Sequence, residues 1–226
     1  MVEKMLALAR ERGADLTAWA ALDHGELHLY SLLNAQAADQ FRSALVVSKA
    51  HNASVLEKPL ALPSRAYEQD YRRLNITLDE LVKGLETLLR REGIHCVAVV
   101  ASETVDAVRQ RGLISHRALA QRAGLGVRGR HNLLITPQFR SGIRLAAILT
   151  ELRVPRMPEL MVPYPCVKCN RCREACPAGA LGERATDYRL DRCLSHLEKI
   201  HSAELPPQIC GICLAVCPGL ETAQFI

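Results

Sequence analysis

Eight of the nine cysteines in this chain fall between residues 166 and 217, in two groups that each end on Cys-Pro. The first group is Cys166-x2-Cys169-x2-Cys172-x3-Cys176-Pro177. The second is looser, Cys193 followed by Cys210-x2-Cys213-x3-Cys217-Pro218. Three thiolates at i, i+3 and i+6 wrap one corner of an iron–sulfur cubane, and in two-cluster proteins the fourth cysteine of such a run crosses to the other cluster. By that logic Cys166, Cys169 and Cys172 bind one [4Fe–4S] cluster with Cys217, while Cys193, Cys210 and Cys213 bind a second with Cys176. The chemistry expected of this region is electron handling.

Two other fates for eight cysteines are weighed against that one. Disulfides need an oxidising compartment, and the chain opens Met1-Val2-Glu3-Lys4 without an apolar signal segment, so a reducing, cytoplasmic setting is expected. Two zinc ions would also use eight thiolates, but zinc sites favour separate CxxC pairs rather than a three-cysteine run. The spacing therefore favours iron–sulfur. Cys96 stands apart in the apolar run Ile94 to Val100 and reads as a small buried hydrophobe.

A second chemistry-bearing stretch runs from Ser115 to Pro137. It contains Gly124-Leu125-Gly126-Val127-Arg128-Gly129, a literal GxGxxG. A dinucleotide fingerprint requires a strand before the glycines and a helix after them. Here Ser115 caps a short helix that Gly124 ends, and His131 to Thr136 reads as a following strand, so the order is reversed. The glycines still permit positive φ and close approach of a large planar ligand, the alternative being a structural turn. Arg130, His131 and Asn132 follow directly and are candidates to line such a pocket. From Val108 to His131 there is no Asp or Glu but six arginines, which suit a phosphate group or a solvated basic face. His116 is a candidate proton donor if its pKa stays near ~6.5. Asp70, beside Tyr67 and Tyr71, is a second candidate catalytic residue, with pairing to Arg73 as its structural alternative.

The elements that must position these residues follow from periodicity. Val2 to Arg12 has helical spacing closed by Gly13, Ala14 to Leu22 and Ala44 to Ser48 read as strands, and Ile94 to Val100 as another. Between Tyr67 and Arg91, Leu74, Leu78, Leu81, Leu85, Leu88 and Leu89 share one face of a long helix. Asp79 and Glu80 face Lys83 along it. Helices and strands alternating ahead of a compact cysteine module predict an α+β chain, with an α/β cofactor or substrate domain over 1–153 and a ferredoxin-like domain over 154–226. The expected linker is Val154 to Pro158, with further prolines at Pro163 and Pro165. With 226 residues, 49% of them apolar, the chain is long enough for a sizeable core, and a mean hydropathy of +0.01 with no membrane span indicates a soluble protein. Nine aromatic residues do not suggest a nucleic-acid stacking platform.

Ala123-Gly124-Leu125-Gly126, Gly129-Arg130-His131, Leu133-Leu134-Ile135 and Ile148-Leu149-Thr150, followed by the two cysteine groups, resemble the epoxyqueuosine reductase family, which is similar in core to reductive dehalogenases. The segment Tyr67 to Arg72 is a weaker match to the family's Arg-Asp-Tyr-His segment. The resemblance implies a nitroreductase-like α/β domain holding cobalamin, fed by two [4Fe–4S] clusters. It also implies a low-potential electron donor such as ferredoxin or flavodoxin, and a small-molecule or protein-bound acceptor. Departures affect the substrate chemistry. The position of the family's proton-donating aspartate is Gln110, with Asp106 available only through an alignment gap. Val127 stands for the family's tryptophan, and Arg130 for its lysine. The chain ends at Ile226, soon after the second group, and reads as a short form without C-terminal helical repeats, so tRNA is not expected as a partner. The sequence thus supports a corrinoid-dependent iron–sulfur reductase, with a transfer module lacking its own substrate chemistry as the alternative.

Overall fold

The computed structural model describes residues 1–23, 26–156, 165–200 and 209–220. It is a mixed α+β chain that divides into two compact units. Unit 1 comprises Met1–Lys49, Leu74–Leu125 and Arg144–Met161, and unit 2 comprises Ala50–Arg73, Gly126–Ile143 and Val162–Ile226. Each is assembled from three segments, so the division is not one linear cut at residue 153.

Unit 1 is built on a four-stranded sheet. Its strands are β1 (Leu16–Ala21), β2 (Ser43–Ala50), β3 (Cys96–Val99) and, after the short strands β4 (Val127–Arg128) and β5 (Leu134–Ile135) of unit 2, β6 (Ile143–Thr150). Their order is β1-β2-β6-β3, and β1 pairs antiparallel with β2 in a register that sets Trp19 opposite Leu45. β3 pairs antiparallel with β6, Cys96 opposite Thr150. The two central strands are buried along almost their whole length, as their continuous apolar runs demand, whereas β1 is only part-buried.

Two helices cover this sheet. The first, α1 (Val2–Glu11), is followed by Gly13 in the left-handed region, φ 92°, where a Cβ would be strained. The short α2 (Ala35–Ala38) is capped by the Asn34 side chain. The long α3 (Arg65–Arg91) lays Leu78, Leu81, Val82, Leu85 and Leu89 against Met5, Trp19, Leu45, Val47 and Ile148 in one core. Each such leucine contributes roughly 1.5–3 kcal/mol of transfer free energy. α4 (His116–Arg122) starts where the Ser115 hydroxyl accepts from the Ala118 N–H, and Gly124 follows it at φ 73°.

Unit 2 holds the β4–β5 hairpin and three further helices: α5 (Arg171–Ala175), α6 (Leu190–Ile200) and α7 (Ile212–Ala215). Its core gathers Leu56, Leu62, Tyr67, Ile212, Leu214 and Ala215. The expected strand over His131–Thr136 is only the two-residue β5, because Asn132 takes a positive φ of 61° and turns the chain before pairing begins. Of the expected linker, Val154–Arg156 are irregular, and residues 157–164 lie outside the described residues. No helix among the described residues is long and apolar enough to cross a membrane.

Candidate metal centre

The two Cys-x-x-Cys-x-x-x-Cys-Pro turns of unit 2 share one local design. In the first, α5 carries Cys172, and Cys176 leaves the helix in extended backbone, φ −73° and ψ 110°, as a residue before proline must. In the second, Gly211 at φ 82° turns the chain into α7, which carries Cys213. A Cβ on Gly211 would stand 2.7 Å from the Tyr67 ring, so both the backbone and the neighbouring aromatic require glycine between Cys210 and Cys213. α5 and α7 pack on one another, which brings the two turns together.

None of the nine cysteines is joined in a disulfide. Cys166, Cys169, Cys172 and Cys217 line one small cavity, closed by His131, Ile135, Pro165, Pro218 and Gly219. Burial pushes the Cys172 thiol up to about 12, and the neighbouring Cys166, Cys217 and Cys169 add to the rise, with Arg130 partly opposing it. Cys217 is also raised by burial, although a hydrogen bond with Ser141 works the other way. The other four cysteines sense one another in the same manner. Burial raises Cys213, reinforced by Cys210, Cys172, Cys193 and Cys176, and burial also raises Cys210, with Cys193 and Cys176 adding to it. Cys193 comes to this set from α6.

Cys217 thus stands with the first three cysteines of the first group, a first set, and Cys176, Cys193, Cys210 and Cys213 make up the remaining, second set, of which Cys213 also senses Cys172. Four sulfur donors lining a dry cavity suit an iron–sulfur cluster, whose thiolates stand at its four corners. One bare ion needs its donors about 2.3 Å from a single point. Among the described residues, no group of three or more His, Cys, Asp or Glu side chains is drawn together closely enough to hold a metal ion.

Arg130 belongs to the first set rather than to an open pocket. It is 4% exposed, its backbone N–H donates to Cys166 Sγ at 3.3 Å, and its guanidinium donates to the Cys166 carbonyl at 2.7 Å and to Asn170 Oδ1. His131 is equally buried, and its Nδ1 accepts from the Leu133 N–H at 3.1 Å. That bond leaves the proton of the neutral ring on Nε2. On the second set, the Ala180 N–H donates to Cys176 Sγ at 3.4 Å.

The glycines nominated for a cofactor are filled from within. A Cβ on Gly126 would lie 2.3 Å from the Ile135 carbonyl oxygen, and one on Gly129 would lie 2.6 Å from Ile135 Cδ1. Their missing side chains admit the β5 strand, so they do not form a cradle for a planar ligand. Leu125 and Gly124 cap α4, the Leu125 N–H reaching the Ala120 carbonyl. Asn132 forms the turn before β5. The nominated residues thus show no fit to cobalamin.

Neither residue nominated as catalytic is a ready acid at neutral pH. Burial works to raise the Asp70 carboxyl, but hydrogen bonds from Arg73 and His51, the His51 charge and the Asn52 N–H outweigh it and hold it below the usual range. The distances are 2.6 Å to Arg73, 2.7 Å to His51 Nδ1 and 3.2 Å to the Asn52 N–H. Asp70 therefore pairs with Arg73, and His51, missed in the sequence, completes the pair; its ring lies 5.3 Å from that of Tyr67. No local motif marks His51, which follows the end of β2.

His116 is half-buried at the start of α4 and donates from Nε2 to the Val99 carbonyl at 3.2 Å. Burial, aided by the Arg144 and Arg117 charges, overcomes that bond and pushes its pKa down to about 4. The ring is neutral at pH 7, and the condition for its acid role is not met. Because the folded value lies below the unfolded one, its stabilising contribution is complete above pH ~6.5 and is lost as pH falls towards 4. A histidine NMR titration is expected to show no protonation of this ring above pH ~5; a midpoint near ~6.5 would contradict its burial.

Gln110 is exposed in positive-φ backbone and donates to the Ala107 carbonyl. The backbone and side chain of Arg109 hold Asp106 below the ordinary carboxylate range, so it too is charged.

With the geometry in view, comparison with known proteins places the chain among the homologues of epoxyqueuosine reductases, and among its fold neighbours are reductive dehalogenases. It is 27% identical over 249 residues to the epoxyqueuosine reductase of Listeria monocytogenes, covering 96% of this chain and 64% of that enzyme. The structure of epoxyqueuosine reductase from Streptococcus thermophilus superposes with a TM-score of 0.61 at 21% identity, over 96% of this chain and 65% of that one. A reductive dehalogenase described as carrying out B12-dependent dehalogenation superposes at 0.75 with 16% identity, over 96% of this chain and 31% of that one. The chain thus spans less than two thirds of the curated relative's length. No protein-family profile matches it.

Proposed function

We propose that this chain is an iron–sulfur oxidoreductase of the epoxyqueuosine reductase type, carrying two [4Fe–4S] clusters and passing electrons to an acceptor held elsewhere in the protein or on a partner. The observation that carries the reading is the cavity lined by Cys166, Cys169, Cys172 and Cys217, supported by the influence of Cys176 and Cys193 on Cys210 and of all three on Cys213. Bound there, the clusters would supply low-potential, one-electron chemistry. The chain's own residues do the rest. Cys166, Cys169, Cys172 and Cys217 would hold one cluster, and Cys176, Cys193, Cys210 and Cys213 the other. Hydrogen bonds to sulfur tune cluster potential, and the Arg130 and Ala180 N–H groups are placed to make them. His131, Ile135 and the prolines around the first set exclude water.

The likeness to a B12-dependent dehalogenase makes cobalamin the acceptor to test first. Gly126, Gly129, Arg130 and His131 are committed to the hairpin and to the cysteine cavity, so contacts to such an acceptor would come from other residues. A second reading, a transfer module without substrate chemistry of its own, is favoured by one set of observations: Asp70 and Asp106 are charged and His116 is neutral.

Anaerobic purification followed by iron and sulfide analysis separates these readings. About eight iron atoms per chain, with an EPR signal on reduction, are expected. Colourless protein with two zinc ions would overturn the proposal. Added cobalamin that changes the cobalt absorbance supports the reductase reading, and unchanged absorbance supports the transfer module.

A further inference from the structure

The second set of thiols lies beside an open, polar groove. Pro177 and Ala178 form one wall, immediately after Cys176, and the Arg192, Ser195, His196 and Lys199 face of α6 forms the other. Cys193 sits within the same helix. Cys176 directly precedes the first wall and Cys193 is carried on the helix of the second, while the lining itself holds no cysteine.

Its charge is one-sided. Asp191, the one carboxylate lining it, is bound by two hydrogen bonds from the Arg189 guanidinium, at 3.2 and 3.1 Å. Arg192 is anchored by a 3.2 Å bond to the Gly179 carbonyl, and no carboxylate pairs with Arg192 or Lys199 among the described residues. Both cations are exposed, and no residue of α6 is fully buried. Anchoring Arg192 through a carbonyl fixes its position without neutralising it.

We infer that this groove is the docking surface for an acidic, low-potential, one-electron carrier protein, which delivers electrons through the Cys176/Cys193 side of the second set. The inference rests on the iron–sulfur reading above. An acidic partner is favoured by two exposed cations on one helix that no carboxylate pairs among the described residues, since opposite potentials steer encounter and raise association rates. In the transfer, the carrier is oxidised by one electron and the metal centre reduced by one, and no bond forms or breaks.

The test compares two reductants under stopped flow: reduced flavodoxin, an acidic protein, and the methyl viologen radical, a small cation. Lys199→Glu and Arg192→Glu are each expected to slow reduction by flavodoxin roughly tenfold or more at low ionic strength and to leave reduction by methyl viologen unchanged. The wild-type rate with flavodoxin is expected to fall as salt is raised. Calorimetric titration with oxidised flavodoxin supplies a readout independent of electron flow, and the same variants are expected to weaken binding. Lys199, six residues beyond Cys193, carries the test should Arg192→Glu disturb that neighbouring thiol. Unchanged flavodoxin rates and affinity in Lys199→Glu, or equal slowing with both reductants, would overturn the docking surface while leaving the clusters standing. Wild-type protein without iron would overturn both.

Discussion

A protein carrying both Cys176→Ala and Cys213→Ala is expected to keep about four of about eight iron atoms, whereas one carrying Cys172→Ala and Cys176→Ala is expected to keep none. The two double variants remove the same number of thiols. They differ only in whether both losses fall in one set. Cys172 lines one cavity with Cys166, Cys169 and Cys217, and Cys176 and Cys213 are not among its lining, so on the proposed ligation the pair 176 and 213 shares a set while 172 and 176 do not. If instead the chain's linear order governed, with Cys166 to Cys176 holding one cluster, the two results would exchange. Iron and sulfide counts on anaerobically purified protein decide between them, and a zinc protein would show neither pattern.

The second large effect belongs to Arg130. Its guanidinium is the bridge between the Gly129–His131 segment and the first cysteine turn, binding the Cys166 carbonyl and Asn170 from a buried position. Removing it in Arg130→Met leaves those two acceptors without their donor, at a cost of roughly 1–3 kcal/mol, more where the donor is charged. It also removes a positive charge felt at Cys172. Denaturant unfolding is expected to show the destabilisation. A redox titration is expected to show the first cluster's potential moving down while the second stays where it was, because net charge close to a cluster sets its potential. Arg130→Lys separates the two contributions. It retains the charge and loses the planar fork, so it should recover the potential more fully than the stability. A fall in stability with both potentials unchanged would make Arg130 a structural bridge alone.

Much of this was legible in the amino-acid order, for reasons that are local. Leucines at helical spacing specify α3 because a helix with one apolar face must bury it, and Ser115 and Gly124 bracket α4 because each satisfies a helix end. The grouping of Cys166, Cys169 and Cys172 is set by one turn and one helix, and Cys217 lines the same cavity. What the sequence did not disclose depends on long-range packing. Gly126 and Gly129 look like a ligand loop until Ile135 is seen occupying the space beside them. Arg130 reads as a pocket cation until Cys166, 36 residues away, is found under it. Asp70 has an evident partner in Arg73 three residues on, but His51 is 19 residues back with no periodicity to announce it. His116 could be read as an acid only while its burial was unknown. The discontinuous units have the same origin, since Ala50–Arg73 and Gly126–Ile143 join the cysteine segment by contacts that no composition shift marks.

If the eight thiols ligate as proposed, their interleaving also dictates an order of events during biosynthesis. Cys166 and Cys217 close a loop of about 50 residues, and Cys176 and Cys213 close a smaller one nested inside it. Cross-linking a chain over such lengths removes on the order of 4 kcal/mol of loop entropy from the unfolded ensemble. The two loops share the same intervening chain, so whichever centre is filled first has already gathered most of the segment that the other needs, and the second is filled at lower entropic cost. Neither set is complete until Cys213 and Cys217 have left the ribosome. A nascent chain halted after the first cysteine turn would hold three ligands of one centre and one of the other, and on the proposed ligation metal insertion is expected to be a late, cooperative event rather than a nucleus around which the module folds.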